Sequence, residues 1–183
     1  MGKPKNGDEL MGTGQMLMTI AAMLLLGTVI LGTNRGINAT QYTLVRTNCQ
    51  IDAVSLATSI IQEASNLPFD QATVGGAAPG ITMFTAPDSL GQENNDPTDL
   101  NDLDDYNGLN NAGRIETDSL GTGTYYVRTR VSYVGDYSDL SVNSTTRTRL
   151  KRLDIWVWNK DLPDTLFMQA VFGYWFFGRV GRI

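Results

Sequence analysis

The chain has 183 residues, 42% of them hydrophobic, which is enough for a core of ordinary domain size. Its net charge of -5 argues against a polyphosphate partner, so no nucleic acid is expected. A single cysteine, Cys49, excludes an intrachain disulfide, and the lack of histidine removes the commonest general base and transition-metal ligand.

Residues 1–14 read as a leader or cytoplasmic N-terminal segment. The uncharged run Met16–Thr33 follows. At about 1.5 Å per residue it spans roughly 27 Å, close to a hydrocarbon core of about 30 Å. It is longer than the apolar region of a secretory signal, and no small-x-small cleavage site follows cleanly. A buried core helix would carry a polar face, which this run lacks. Residues 15–34 therefore read as a transmembrane or filament-core helix. Lys3 and Lys5 precede it, which puts the N-terminus in the cytoplasm and the rest of the chain outside the inner membrane.

Gly32-Thr33-Asn34-Arg35-Gly36 is a candidate break. Beyond it, Val45, Cys49, Ile51, Val54, Ala57, Ile60, Ile61, Ala64 and Leu67 fall mostly three and four apart, an apolar stripe on an amphipathic helix over 35–68. Pro68 ends it. If the two segments join, the helix runs from Gly14 to Leu67. Residues 69–122 carry turn signals and read as a variable acidic loop: Gly75-Gly76, Pro79-Gly80, Asp96-Pro97 and Asn107-Gly108.

The segment 123–183 reads as an antiparallel β-sheet head. Tyr125, Val127, Thr129, Val131 and Tyr133 alternate with Tyr126, Arg128, Arg130 and Ser132. Leu153, Ile155 and Val157 alternate with Trp156 and Trp158. The run Thr165–Phe177 reads as a strand buried on much of both faces, or as an interface strand. Three such strands form a meander whose apolar face needs a cover, and the helical stripe of residues 45–67 supplies it. The fold class expected is α+β, with the apolar half of the long helix projecting and its amphipathic half packed on the meander.

That order of elements resembles a type IV pilin or a type II secretion pseudopilin. SLATSIIQEASNLPFD (Ser55–Asp70) looks like the end of the long helix in such proteins. NDLDDYNG (Asn101–Gly108) is similar to a loop in relatives of mannose-sensitive haemagglutinin pilus biogenesis proteins. YYVRTRVSYV followed by TRLKRLDIWVW looks like the paired strands that close their heads. One departure lies at the N-terminus. The family usually places a glutamate fifth after a leader glycine, whereas cleavage after Gly12 would put Leu17 fifth and cleavage after Gly14 would put Thr19 there.

The resemblance implies a structural subunit, held in the inner membrane before assembly into an extracellular filament of itself or of other pilin-like subunits. Its assembly residues would be Met16, Leu17, Ile20, Leu24, Leu25, Val29 and Ile30. The alternative is a minor pseudopilin or a non-polymerising single-pass component of an envelope complex.

Asp99, Asp102, Asp104 and Asp105 crowd one short stretch. Calcium takes about six to eight oxygens, and these carboxylates with Asn101 and Asn107 offer several, although the EF-hand spacing is absent. A structural calcium and a solvated acidic turn are the two readings; no other cofactor is expected. Adjacent carboxylates such as Asp104 and Asp105 rarely converge on one substrate atom, so no enzymatic activity is expected. Cys49 sits in the apolar stripe and reads as a core thiol. Arg147, Arg149, Lys151 and Arg152 read either as a solvated strand edge or as ion-pair partners for an acidic loop of a neighbouring subunit. Arg149, Arg152, Trp156, Trp158 and Trp175 are the interface candidates, the last three drawn from an aromatic excess.

Overall fold

A computed structural model of the chain describes residues 6–77, 79–93, 100–109, 115–117, 123–135 and 139–177. The elements run α1 (Asn6–Ser65), β1 (Ile115–Thr117), β2 (Thr124–Tyr133), β3 (Leu150–Trp158), β4 (Leu166–Gly173) and a single helical turn, α2 (Tyr174–Phe177). Short 3-10 turns occupy Gln71–Thr73, Ile81–Met83 and Asp104–Tyr106. The architecture is the α+β arrangement expected, a long N-terminal helix followed by an antiparallel sheet. The chain divides into two compact units, one ending at Val45 and the other beginning at Arg46.

In the first unit the helix continues through the candidate break. Two glycines cost about 1 kcal/mol each, too little to interrupt a helix that contains no proline. Threonine hydroxyls bond back to the preceding turn within and just after this segment: Thr33 Oγ1 donates to the Val29 carbonyl at 2.9 Å and Thr40 Oγ1 to that of Gly36 at 3.0 Å. Such bonds satisfy a polar group without help from water.

In the second unit the sheet order is β1-β2-β3-β4, every pair antiparallel. β2, β3 and β4 form the meander read from the alternation. β1 is an additional short edge strand within the segment read as loop, pairing Ile115–Thr117 with Tyr126–Thr124. The inward face of β2 presents Tyr125, Val127, Thr129, Val131 and Tyr133, all buried, and that of β3 presents Leu153, Ile155 and Val157. The last strand departs from expectation. It stops at Gly173, before a helical turn. As an edge strand it has one exposed face, Phe167, Gln169 and Val171, with only Phe172 of its other face fully buried.

The helix covers the sheet through Cys49, Ala53, Ala57, Ile60 and Ala64, all buried. This corrects the stripe read from the sequence. Ile51 and Val54 are exposed because they lie out of phase with the four-four-three-four spacing of the buried set, and Val45, one step of four before Cys49, is exposed as well. The contact line is built mainly of alanines. Cys49 is a buried free thiol, and its carbonyl accepts from the Tyr125 hydroxyl at 3.4 Å. Phe69, Phe84 and Tyr174 close one end of the core, with ring centroids 5.2 to 5.7 Å apart.

Candidate functional site

Two features stand out. The first is the apolar segment of α1. Gly12–Ser65 contains a stretch long and apolar enough to cross a membrane, and none of that stretch is buried within the chain. Met16, Leu17, Ile20, Leu24, Leu25, Val29 and Ile30 are all more than half exposed. Unpartnered apolar surface of this kind needs lipid or another apolar helix against it.

The second feature is a buried ionic cluster in the head. Lys151 lies on the inward face of β3, in phase with Leu153, Ile155 and Val157, and is fully buried. Its Nζ donates to Asp70 Oδ2 at 2.7 Å, to the Phe69 carbonyl at 2.9 Å and to Asp104 Oδ1 at close range. The rings of Phe69 and Tyr133 lie 4.6 and 5.0 Å from it. Asp70 caps the Gln71–Thr73 turn by accepting from the Ala72 N–H at 3.1 Å, and it also accepts from the Thr85 N–H and the Tyr133 hydroxyl. Burial pushes the Asp70 carboxyl up, but Lys151 and these donors outweigh it and hold the group below the usual carboxylate range. Asp104 lacks that set of backbone donors. Burial raises its carboxyl to about 7 in spite of Lys151.

The acidic loop is folded on itself. Asp102 Oδ1 accepts from the N–H groups of Asp104 and Asp105 at 2.7 and 3.2 Å, and Asp105 Oδ2 accepts from those of Asn101 and Asp102 at 2.7 and 3.1 Å. Burial first, then the charges of Asp104 and Asp105, lift the Asp102 carboxyl to about 8. The loop docks on the stretch of β2 that lies beyond its pairing with β1. Asn107 Oδ1 accepts from the Val131 N–H at 3.0 Å, its Nδ2 donates to the Leu90 carbonyl at 2.8 Å, and the Gly108 N–H donates to Thr129 O at 3.3 Å. Thus Asp102, Asp104 and Asp105 are interior groups, not a solvated turn, and Asp99 lies outside the described residues. Among the described residues no group of three or more His, Cys, Asp or Glu side chains is arranged to hold a metal ion.

The basic cluster is divided by the pleat. Lys151 meets the acidic loop of its own chain, where the sequence suggested a neighbour's loop. Arg152 is likewise internal, correcting its place among the interface candidates. It forks onto Asp154 at 2.8 and 3.1 Å and donates to the carbonyls of Leu140 and Ser141 and to Asn143 Oδ1. Arg149 is exposed, with its guanidinium 4.7 Å from the centroid of the exposed Trp175 ring. Trp158 stacks on Tyr126 at 5.8 Å and Trp156 leans on Phe167 at 5.3 Å, both across strands on the outer face of the sheet.

Asp70 and Tyr133 have no place in the site read from the sequence, and Lys151 enters it only as a partner for a neighbouring subunit's loop. The signal was there for Lys151: a lysine at a period of two from three apolar β residues occupies an inward position and requires a buried partner. A scan against protein-family models, a search of curated proteins and a search of solved structures each find no match to this chain.

Proposed function

We propose that the chain is a pilin-like structural subunit, anchored in the inner membrane by its N-terminal helix and then drawn into an extracellular filament with copies of itself or with related subunits. One observation carries the reading. A folded α+β head with its own core is continuous with a helix whose apolar residues are exposed. Such a helix is satisfied first by lipid and later by other helices of the same kind. Transfer from lipid to a helix bundle brings little hydrophobic gain, so close packing at small residues, Ala21, Ala22, Gly27 and Gly32, would drive it. A Cβ added at Gly27 or Gly32 meets nothing within the chain, which leaves these positions open to a neighbouring helix.

A second reading has its own observation. No glutamate stands fifth after Gly12 or Gly14. That favours a minor or non-polymerising pilin-like component of an envelope complex.

The test is to express the chain in a Gram-negative host with a pilus assembly system and image the sheared surface fraction. Ordered filaments of this chain support the first reading, and stoichiometric recovery in a membrane complex supports the second. Leu24→Asp places a charge at the middle of the apolar run, at a cost of about 3 kcal/mol for membrane insertion alone. It is expected to abolish filaments and reduce membrane retention. Normal filaments from this variant would sink the bundle.

A further inference from the structure

We propose that Lys151 and Asp104 condense into an intramolecular amide that fastens the acidic loop to β3. This proposal stands apart from the filament reading and concerns the head alone.

The geometry is that of a reaction site. The Lys151 amine is fully buried and touches two carboxyl groups from two different segments, Asp104 of the loop and Asp70 at the start of the Gln71–Thr73 turn. Beside it also lie the Phe69 carbonyl and the rings of Phe69 and Tyr133. Nucleophile and acyl carbon are thus held together by the fold. Pairs oriented in this way react with effective molarities on the order of 10⁵ M or more. Burial also favours the neutral acid of Asp104, and it keeps out the water that would reverse the reaction.

The two carboxyl groups are differentiated. Asp70 is held as carboxylate by Ala72 N–H, Thr85 N–H and Tyr133 O–H. Asp104 is the one that burial drives toward its neutral acid, the form an amine can attack. The roles follow. A proton passes from the Lys151 ammonium to the Asp104 carboxylate, leaving amine and carboxylic acid. The Nζ lone pair adds to Asp104 Cγ and forms the C–N bond. The Asp70 carboxylate accepts the proton released from nitrogen and returns it to the departing hydroxyl, the C–O bond breaks, and water leaves. Amine plus acid gives amide plus water. No oxidation state changes, and no co-reactant is needed.

The test is peptide mapping of the full-length protein, purified in detergent, denatured and digested. The expected result is a branched peptide that joins residues 104 and 151 and is lighter by one water than the sum of its two arms. In Asp104→Asn the same branched peptide is expected, with ammonia as the leaving group. Lys151→Arg should yield only linear peptides. Asp70→Asn, which keeps an acceptor for the Ala72 and Thr85 N–H groups but loses the base, should slow formation by at least tenfold in a time course after refolding. Quantitative recovery of the linear wild-type peptides carrying Asp104 and Lys151 would overturn the proposal. So would a loss of water confined to a linear peptide, as an aspartyl succinimide gives. Both outcomes are read on wild-type protein, so neither depends on a variant folding.

Discussion

At the residue scale the head is governed by charges placed where charges are costly. Asp102 is fully buried. One of its oxygens caps the Asp104–Tyr106 turn, and the other has no hydrogen-bond partner among the described residues. Its carboxyl sits near 8 in the folded chain against an ordinary 3.8, so the folded state keeps a proton that the unfolded state gives up. Folded protein therefore binds more protons between these values, and stability must fall as pH rises through them. The contribution is fully present below about 4 and is lost by about 8 and above. The melting midpoint of the wild type is expected to drop by several degrees between pH 5 and pH 9. Asp102→Asn keeps the capping oxygen and removes the titration. Its midpoint should stay close to wild type at pH 5 and exceed it at pH 9. Parallel pH profiles for the two proteins would show that Asp102 does not carry the effect. Burial is the largest cause of the shift, so the prediction holds whether Asp104 is a free acid or an amide. The acidic loop was conspicuous in the sequence, but its chemistry was not. Four nearby carboxylates read as a surface feature or a calcium loop, because nothing local announces that Lys151, far along the chain, points inward to meet them. Only the phase of Lys151 with Leu153, Ile155 and Val157 carried that information.

At the scale of elements the strands and the helix were readable for different reasons. β2 and β3 alternate cleanly, and a period of two maps directly onto one buried face. β1 was not readable, because three residues carry too little pattern. It forms because Ile115–Thr117 comes back alongside the start of β2. The C-terminal run Thr165–Phe177 is apolar enough to suggest burial on both sides, yet the place of β4 at the edge of the sheet leaves one face open. In the helix the apolar residues were visible but the contact face was not. Large residues such as Ile51 and Val54 attract attention, whereas the contact runs along Ala53, Ala57 and Ala64. This alanine contact line is a testable device. Ala57 is fully buried between the helix and the sheet, so a larger side chain there must separate the two layers. Ala57→Leu is expected to destabilise the head by about 1–3 kcal/mol, read as a lower denaturation midpoint. Ala→Leu at exposed Ala39 should leave the head unchanged. If Ala57→Leu behaved like the exposed control, tight packing at the alanine contact line would not be a source of stability.

At the scale of the whole molecule the chain carries two kinds of surface. Among the described residues, those up to Val45 contribute exposed apolar surface and no member of the buried core, whereas the unit beginning at Arg46 holds that core, the ionic cluster and the sheet. Folding free energy should therefore reside almost wholly in the second unit, and membrane affinity in the first. This separation was legible from composition, since a bilayer-length uncharged run next to an amphipathic stripe announces a change of surroundings along one helix. It predicts the behaviour of a fragment that starts at Arg46. Such a fragment retains Cys49, Ala53, Ala57, Ile60 and Ala64 for packing on the sheet, and Thr47 or Asn48 is available to cap the shortened helix. It should be monomeric in buffer without detergent, by sedimentation, and should unfold in one transition within a few degrees of the head of the intact protein in detergent micelles. The full chain, by contrast, should sediment with membranes and aggregate when detergent is withdrawn. A fragment that precipitated, or that melted without a cooperative transition, would mean that residues before Arg46 are needed for the head to fold. The separation of roles along α1 would then have to be abandoned, together with the reading of the apolar segment as a surface reserved for lipid and for other helices.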